Sequence, residues 1–421
     1  MKSKIKLMSG RTILSIAGVM GLFLAGSCNT DDLIEKEKEV LIQTDPPIVL
    51  DCNYFSENRV LTKNPNAAVD YIIKCVMPIR TADIRVEPGV VIEFEQDAGI
   101  DIYSTSGQAS FAAIGTSDKP VILRGAKKEK GYWRGIMYNS HSPQNILEHT
   151  RVADAGGKQF NSNGDMGAVH LYAKAQLSIK NCEITNSKTY GLNAVYKGSD
   201  LSLEHTRFKN NDIPVILAPE YLNAITNSND YSGNTKDYVV VESGSFAIET
   251  SWQKINVPYQ ILNKSAYGYS GGIDVKNILT IEPGVVLEFD AGTKLKLVEN
   301  SGAIKAVGTA QAPIVFTAIN KVKNGWIGIY FVSKHPVNKI AFAEFHYSGK
   351  TTGTGESESG TIRLLPNNVL EIHDVTFKNI NGCAIRYGLN AGQSENTLFT
   401  YSNLNGDNQT CLVSCFGHGC A

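Results

Sequence analysis

Apolar and polar residues alternate in short bursts along most of the chain. In "VEPGVVIEFE" from Val86, "IEPGVVLEFD" from Ile281, "LSIKNCEITNS" from Leu177 and "LSLEHTRFKNN" from Leu201, every second side chain falls on an apolar face. That is the period of a strand with one side buried. The bursts are separated by glycine, asparagine, serine and proline, which are the residues of turns. Glycine alone accounts for 38 of 421 positions, and long amphipathic helices are hard to find. The pattern predicts an all-β chain of many short strands.

The bursts repeat on two scales. From Gly115 and Gly308 two copies run in step, without a gap, as far as Asn186 and Asn379. Thr116, Pro120, Trp133, Gly135, Asn145, Gly156, Leu177 and Ile179 reappear as Thr309, Pro313, Trp326, Gly328, Asn338, Gly349, Leu370 and Ile372. Such matching frames mark a duplication. Inside each copy lies a shorter template, starting at Leu177, Leu201 and Leu370: apolar residues at the first, third and eighth places, then asparagine at the tenth. The step from Leu177 to Leu201 sets the length of the unit. A unit of roughly two dozen residues cannot bury its apolar side chains alone, but stacked units make continuous ladders. The recurrent asparagine suits a corner in a left-handed conformation and can bond to the next coil through its amide.

The phrases "LTIEPGVVLEFDAG", "GAIKAVGTAQAPIVFTA", "GWIGIYF" and "LEIHDVTFKNINGCAI" resemble the right-handed parallel β-helix lipoproteins common in Bacteroidetes, many of which have no assigned activity. The resemblance implies one solenoid built from a single chain, which at the repeat length would hold about 14–15 coils. The expected organisation is a leader over 1–27, an acidic tether over 28–45 and an N-terminal cap over 46–66. A first repeat unit over 67–218, connecting coils over 219–256 and a second repeat unit over 257–421 with a cysteine-rich end would follow.

The N-terminus adds a location. Lys2, Lys4, Lys6 and Arg11 precede the apolar run "ILSIAGVMGLFLAG" and then Cys28, the layout of a secretion signal. "LAGSC" resembles a bacterial lipobox, with Ala25 where leucine is commonest and Leu24 one place earlier; the resemblance implies cleavage before Cys28 and lipidation of that thiol. Without 1–27 the chain carries 36 basic and 41 acidic side chains, a net charge of about −5, which is no footprint for nucleic acid. The acidic run after Cys28 is a solvated tether on its own chemistry. It also resembles the segment that directs some such lipoproteins to the outer face of the outer membrane. Surface display and a periplasm-facing anchor both remain open on the sequence.

Seven cysteines remain beside Cys28, an odd number that leaves a free thiol or an intermolecular bond in an oxidising compartment. Cys52 and Cys75 flank the start of the first repeat and are placed to staple the cap. Cys182 and Cys383 lie in strand-like runs and read as buried thiols. Cys411, Cys415 and Cys420 close the chain, where a disulfide among them would hold the last rung. The spacing in "CLVSCFGHGC" matches no common zinc knuckle, and neither a metal nor a cofactor is implied.

Solenoids of this class often host enzymes acting on acidic polysaccharides, and fragments of that catalytic vocabulary occur here. "NTDD" from Asn29 lies in the tether and "GHG" from Gly417 at the extreme end of the chain, whereas paired carboxylates must flank one bond at fixed separation. Glu87, Glu93, Glu282 and Glu288 recur around the duplicated turns and read as polar outer faces. His149, Asn181 and His205 fall in one column of the rung register and read as a solvated corner. Trp133 and Trp326 stand beside glycine in both copies and read as buried packing, exposed stacking on sugar rings being the alternative. Two glycine-rich loops sit at matching points with unrelated sequences, and loops on a rigid scaffold commonly carry binding. Their candidate residues are Lys158, Phe160, Asn163 and Asp165 in the first, and Lys350, Glu356 and Glu358 in the second. No catalytic set is complete. The leading reading is a lipid-anchored cell-surface module, tied to the membrane through the anchor, that binds glycans or surface proteins; the alternative is a polysaccharide lyase or glycoside hydrolase acting on acidic polysaccharide.

Overall fold

A proline–glycine turn begins each copy of the long repeat. Pro88 and Gly89 join the strands Asp83–Val86 and Val91–Phe94, and Gly89 takes φ +81 while the Val90 N–H donates to Glu87 O at 3.3 Å. Gly284 has φ +77 and the Val285 N–H reaches Glu282 O at the same 3.3 Å. Proline followed by a residue at positive φ is a type II turn, which is why both phrases keep Pro-Gly. The computed structural model describes residues 45–160, 166–298, 301–349, 360–407 and 411–417.

The strands after these turns pair in parallel with strands one coil away, and the described residues from Asp45 onward form a parallel β-helix solenoid. In the first half each coil visits three sheets. A six-stranded sheet runs from Arg59–Leu61 to Asp200–Glu204, and a seven-stranded one from Ile48–Leu50 to Arg207–Lys209. The third, of sixteen strands, starts at Val76–Ile79 and continues through both copies to Phe399–Gly406. A fourth, of seven strands, begins at Gly244–Phe246 and ends at Cys411–Gly417. Segment 46–66 contributes the first rungs of two sheets as well as covering the end.

The register explains the template. Leu177 pairs with Leu201 and Ile179 with Leu203, one template length apart as expected, and all but the half-buried Leu201 are buried. Ile92, Leu123, Val152, Ile184 and Phe208 form one unbroken inward ladder with zero exposure. Coil length itself varies: Val239 faces Tyr259 across a short coil, whereas Ile100 faces Ile136 across one nearly twice as long. The asparagines at the tenth place of the template, Asn186, Asn210 and Asn379, all take φ between 55 and 58. Asn210 Nδ2 donates to Asn186 Oδ1 at 3.1 Å, and Asn186 Nδ2 to Asp154 Oδ1 at 2.5 Å, so the corners are tied from coil to coil.

The duplicated tryptophans are core. Trp133 stacks on Phe94 at 3.9 Å and donates Nε1–H to Ala153 O at 2.8 Å; Trp326 stacks on Phe289 at 4.2 Å and donates to His346 O at 3.0 Å. Neither has any exposed surface, so they cannot stack on a sugar. Two positions on, Gly135 and Gly328 sit at φ +108 and +129, where a Cβ would meet the next coil's carbonyl at 2.4 and 2.0 Å. The Phe of each Glu-Pro-Gly phrase and the Trp-x-Gly motif thus belong to one device.

The two copies do not match on every face. Val91–Phe94 lies in the sheet that ends at Arg207–Lys209, whereas its duplicate Val286–Phe289 follows Ile213–Leu217, Val239–Val241 and Tyr259–Ile261 in the sixteen-stranded sheet. The connecting segment causes the slip. The 3-10 helix Pro219–Ala224 follows Asp200–Glu204 in place of a strand, and Asn223 bonds forward to the Ser251 N–H at 2.9 Å and from its Nδ2 to Glu249 O at 2.9 Å. The fourth sheet opens in the same coil.

Cys52 and Cys75 form a disulfide across the first coil. Cys383 corrects the sequence reading: it is no buried thiol but is bonded to Cys411, its register partner one coil on. Parallel strands place facing positions one above the other, which sets Cys383 beside Cys411. Cys415 is also disulfide-bonded, and Cys420 lies outside the described residues. Loss of a stacked ring should show in stability: Trp326→Ala and Trp133→Ala are each expected to cost about 3–5 kcal/mol, read as a lowered denaturant midpoint. A loss near zero would remove the Phe–Trp pairs from the core account.

Candidate functional site

Of the loop residues proposed from sequence, the structure places two. Lys158 Nζ is 2.7 Å from Asp97 Oδ2, and the Phe160 ring packs over Gly99; both tie the loop to the coil beneath. Asn163, Asp165, Lys350, Glu356 and Glu358 lie outside the described residues, as do Cys28 and the tether. Three of the four duplicated glutamates are engaged structurally. Glu93 accepts from Arg124 at 2.7 and 3.1 Å, Glu288 from Lys321 and Gln260 at 2.9 Å each, and Glu282 from the Lys254 N–H at 3.0 Å.

His149, Asn181 and His205 do form a column, on successive coils at the corner where the six-stranded sheet hands over to its neighbour. All three have positive φ, 44, 54 and 48, a conformation that asparagine and histidine tolerate better than most residues. Asn181 Nδ2 lies 3.4 Å from His149 Nε2. A groove of about 460 Å³ opens here, bordered by these side chains and by Thr116, Arg151, Glu183 and Arg207. Beneath it Cys182 is buried, its thiol donating to Leu147 O and Lys180 O at 3.2 Å each; burial pushes it up to about 12. Among the described residues no three His, Cys, Asp or Glu side chains gather as a cation site, so the column offers imidazole and amide hydrogen bonds.

A second surface was missed by the sequence reading. On the outer face of the fourth sheet, Asp274, Lys296, Tyr330, Arg363 and Arg386 occupy one register column on five successive coils. Lys294 Nζ and the Arg363 guanidinium each lie 5.5 Å from the Tyr330 ring centre; Arg363 and Arg386 also reach Phe416 at 5.2 and 5.9 Å. Farther along, Lys197 sits 4.4 Å over the ring of Tyr269, and Tyr267 and Tyr269 are about half exposed. Shallow grooves of about 420, 240 and 130 Å³ follow this face, lined in turn by Lys197 with Lys276, by Tyr269 with Lys294 and Lys296, and by Tyr330 with Arg363. Lys197, Lys276, Lys294 and Lys296 form no ion pair among the described residues, while Lys180, Lys236, Lys321 and Lys339 elsewhere each face a carboxylate at 2.8–3.8 Å. Cations interleaved with aromatic faces can hold anionic groups and sugar rings together. The steps from Lys296 to Tyr330, to Arg363 and to Arg386 are unequal along the chain, which hid the column from any fixed-period search.

The family model described as a pectate-lyase like beta helix domain matches residues 256–392, which includes most strands of this face. No curated protein matches the chain. The buried thiol supplies a check on the corner's packing: Cys182 is expected to resist iodoacetamide in the native protein at pH 8 and to react only on denaturation. Native labelling at that residue, read by peptide mass, would contradict its burial.

Proposed function

We propose that this chain is a lipid-anchored β-helix lipoprotein of the Bacteroidetes type. On this reading Cys28 carries the lipid and the acidic tether holds the solenoid at the outer face of the outer membrane. Its work is binding: the lysine–tyrosine face of the fourth sheet takes up an extended, negatively charged glycan along the solenoid axis. The observation that supports this reading best is the pairing of Lys294 and Lys296 on one coil with Tyr330 on the next, where the lysine and tyrosine side chains line two grooves. Rungs spaced by roughly 4.8 Å present repeated contacts to a repeating polymer, and several weak contacts add where none would hold alone.

Similarity of 256–392 to the pectate-lyase like model favours one second reading, lyase or hydrolase chemistry on an acidic polysaccharide. The two separate in one assay series. On the binding reading, the purified full chain retains polyuronate on an affinity gel, ignores neutral glucan, and releases no unsaturated or reducing ends. Lys294→Ala with Lys296→Ala should weaken retention about tenfold, the sum of two screened contacts, and added salt should weaken the native protein likewise. Equal retention by the double variant would sink the assignment of this face; steady product release would favour the enzyme. For the anchor, palmitate labelling of cells should vanish in Cys28→Ala, and labelling that persists would overturn it.

A further inference from the structure

The duplication supplies an internal control for the corner groove of the first copy. In the matched frames His149 corresponds to Phe342 and Asn181 to Asp374, and these too have positive φ, 47 and 55. The backbone at this corner therefore accepts phenylalanine and aspartate, and its geometry alone does not account for the imidazoles. The neighbouring charge differs as well. Arg151 corresponds to Glu344 and Glu183 to Thr376. In the second copy the corner is closed on itself: Asp374 accepts from His373 at 2.7 Å and from Asn403, and the Phe342 ring meets His373 edge-on at 5.8 Å. In the first copy it is open.

The geometry points to an anion site in the first-copy corner, taking a tetrahedral oxyanion, a sulfate or phosphate monoester, between the imidazoles of His149 and His205 and the guanidinium groups of Arg151 and Arg207. Arg151 and Arg207 flank Glu183 on adjacent coils, with Arg151 Nε 3.8 Å from Glu183 Oε2 and its side chain 58% exposed. Guanidinium forks and point donors arriving from two columns suit a group with three acceptor oxygens.

Charge decides when the site works. On one flank stand Arg151, Glu183 and Arg207; on the other Glu148, Lys180 and Glu204, with Lys180 3.8 Å from Glu204. The bordering turn adds Asp118 and Lys119, and the Thr116 hydroxyl donates to Asp118 at 2.7 Å. These eight groups cancel, so the groove is neutral while the imidazoles are neutral and gains two positive charges when both protonate. A protonated imidazole attracts an anion and a neutral one does not. Binding therefore strengthens as pH falls, and bound anion in turn favours the protonated rings. The site is separate from the lysine–tyrosine face and stands or falls without it.

Selective histidine labelling resolves the eight imidazoles of the full chain by NMR. Sodium sulfate titrated at pH 5.5 should move the His149 and His205 signals saturably, and the affinity should fall about tenfold or more at pH 7.5. Replacing sulfate by a sulfated monosaccharide distinguishes a sugar ester from the free anion: tighter binding of the ester assigns the sugar source, equal binding the anion alone. His149→Phe with Arg151→Glu and Glu183→Thr installs residues that the second copy already carries on the same backbone, and should abolish the response without lowering the melting temperature. Arg207→Gln is an independent variant expected to weaken it. Uniform drift of all eight signals, no saturable shift at pH 5.5, or unchanged binding in folded variants would overturn the proposal.

Discussion

Everything in this solenoid depends on like side chains stacking between neighbouring coils. A single coil has a circumference of short strands and almost no interior; its apolar residues are buried only by the coil before and the coil after. Strands roughly 4.8 Å apart put Ile92 under Leu123 and Phe316 under Phe345, the last pair with rings 4.5 Å apart and 2° from parallel. The Phe–Trp pairs at Phe94–Trp133 and Phe289–Trp326 are the same constraint at its most specific. In these pairs a large ring at one level meets a flat partner at the next, and the glycine two positions on lets the chain pass close to the coil beyond. Duplicating one half of the pair without the other would leave a void, so phrase and partner recur together.

The polar half of the structure follows from that stacking. Because corners must turn without losing backbone hydrogen bonds, they use residues at positive φ and side-chain amides that bridge to the next coil. Buried Asn145 and Asn338 each accept from a backbone N–H in the preceding coil, Phe111 and Ile304, at 3.1 and 3.0 Å. Once ladders and corners are satisfied, outward side chains are free to differ. The same corner backbone carries His149 and Asn181 in one copy and Phe342 and Asp374 in the other, so divergence between copies is a guide to function where their agreement is a guide to folding.

The connecting segment makes the two halves unequal. With the 3-10 helix Pro219–Ala224 standing in for a strand, Ile278–Ile281 keeps the face of its duplicate Asp83–Val86 while Val286–Phe289 joins a different sheet from Val91–Phe94, and a fourth sheet opens at Gly244–Phe246. The lysine–tyrosine face lies on that fourth sheet. It has no counterpart in the first half, where the strand Gly99–Ser104, the duplicate of the Lys294–Leu297 segment, lies in the sixteen-stranded sheet.

The period-two bursts, the coil-length template and the asparagine corners were legible in the sequence because stacking imposes identical demands on every coil, and repetition is what a linear reading detects. Parallel strands, the inward Leu177–Leu201 ladder and the positive φ of Asn186, Asn210 and Asn379 follow from that alone. The column His149–Asn181–His205 was visible because the sequence around it recurs, Leu147–Arg151 repeating as Leu203–Arg207. The fourth-sheet face was not: Lys296, Tyr330, Arg363 and Arg386 are brought together across coils of unequal length, and which face a strand occupies after residue 219 depends on a slip that no local pattern encodes. The Cys383–Cys411 bond has the same origin. Thiols pair by height in the stack, and only the folded register, which sums the length of every loop between, sets that height.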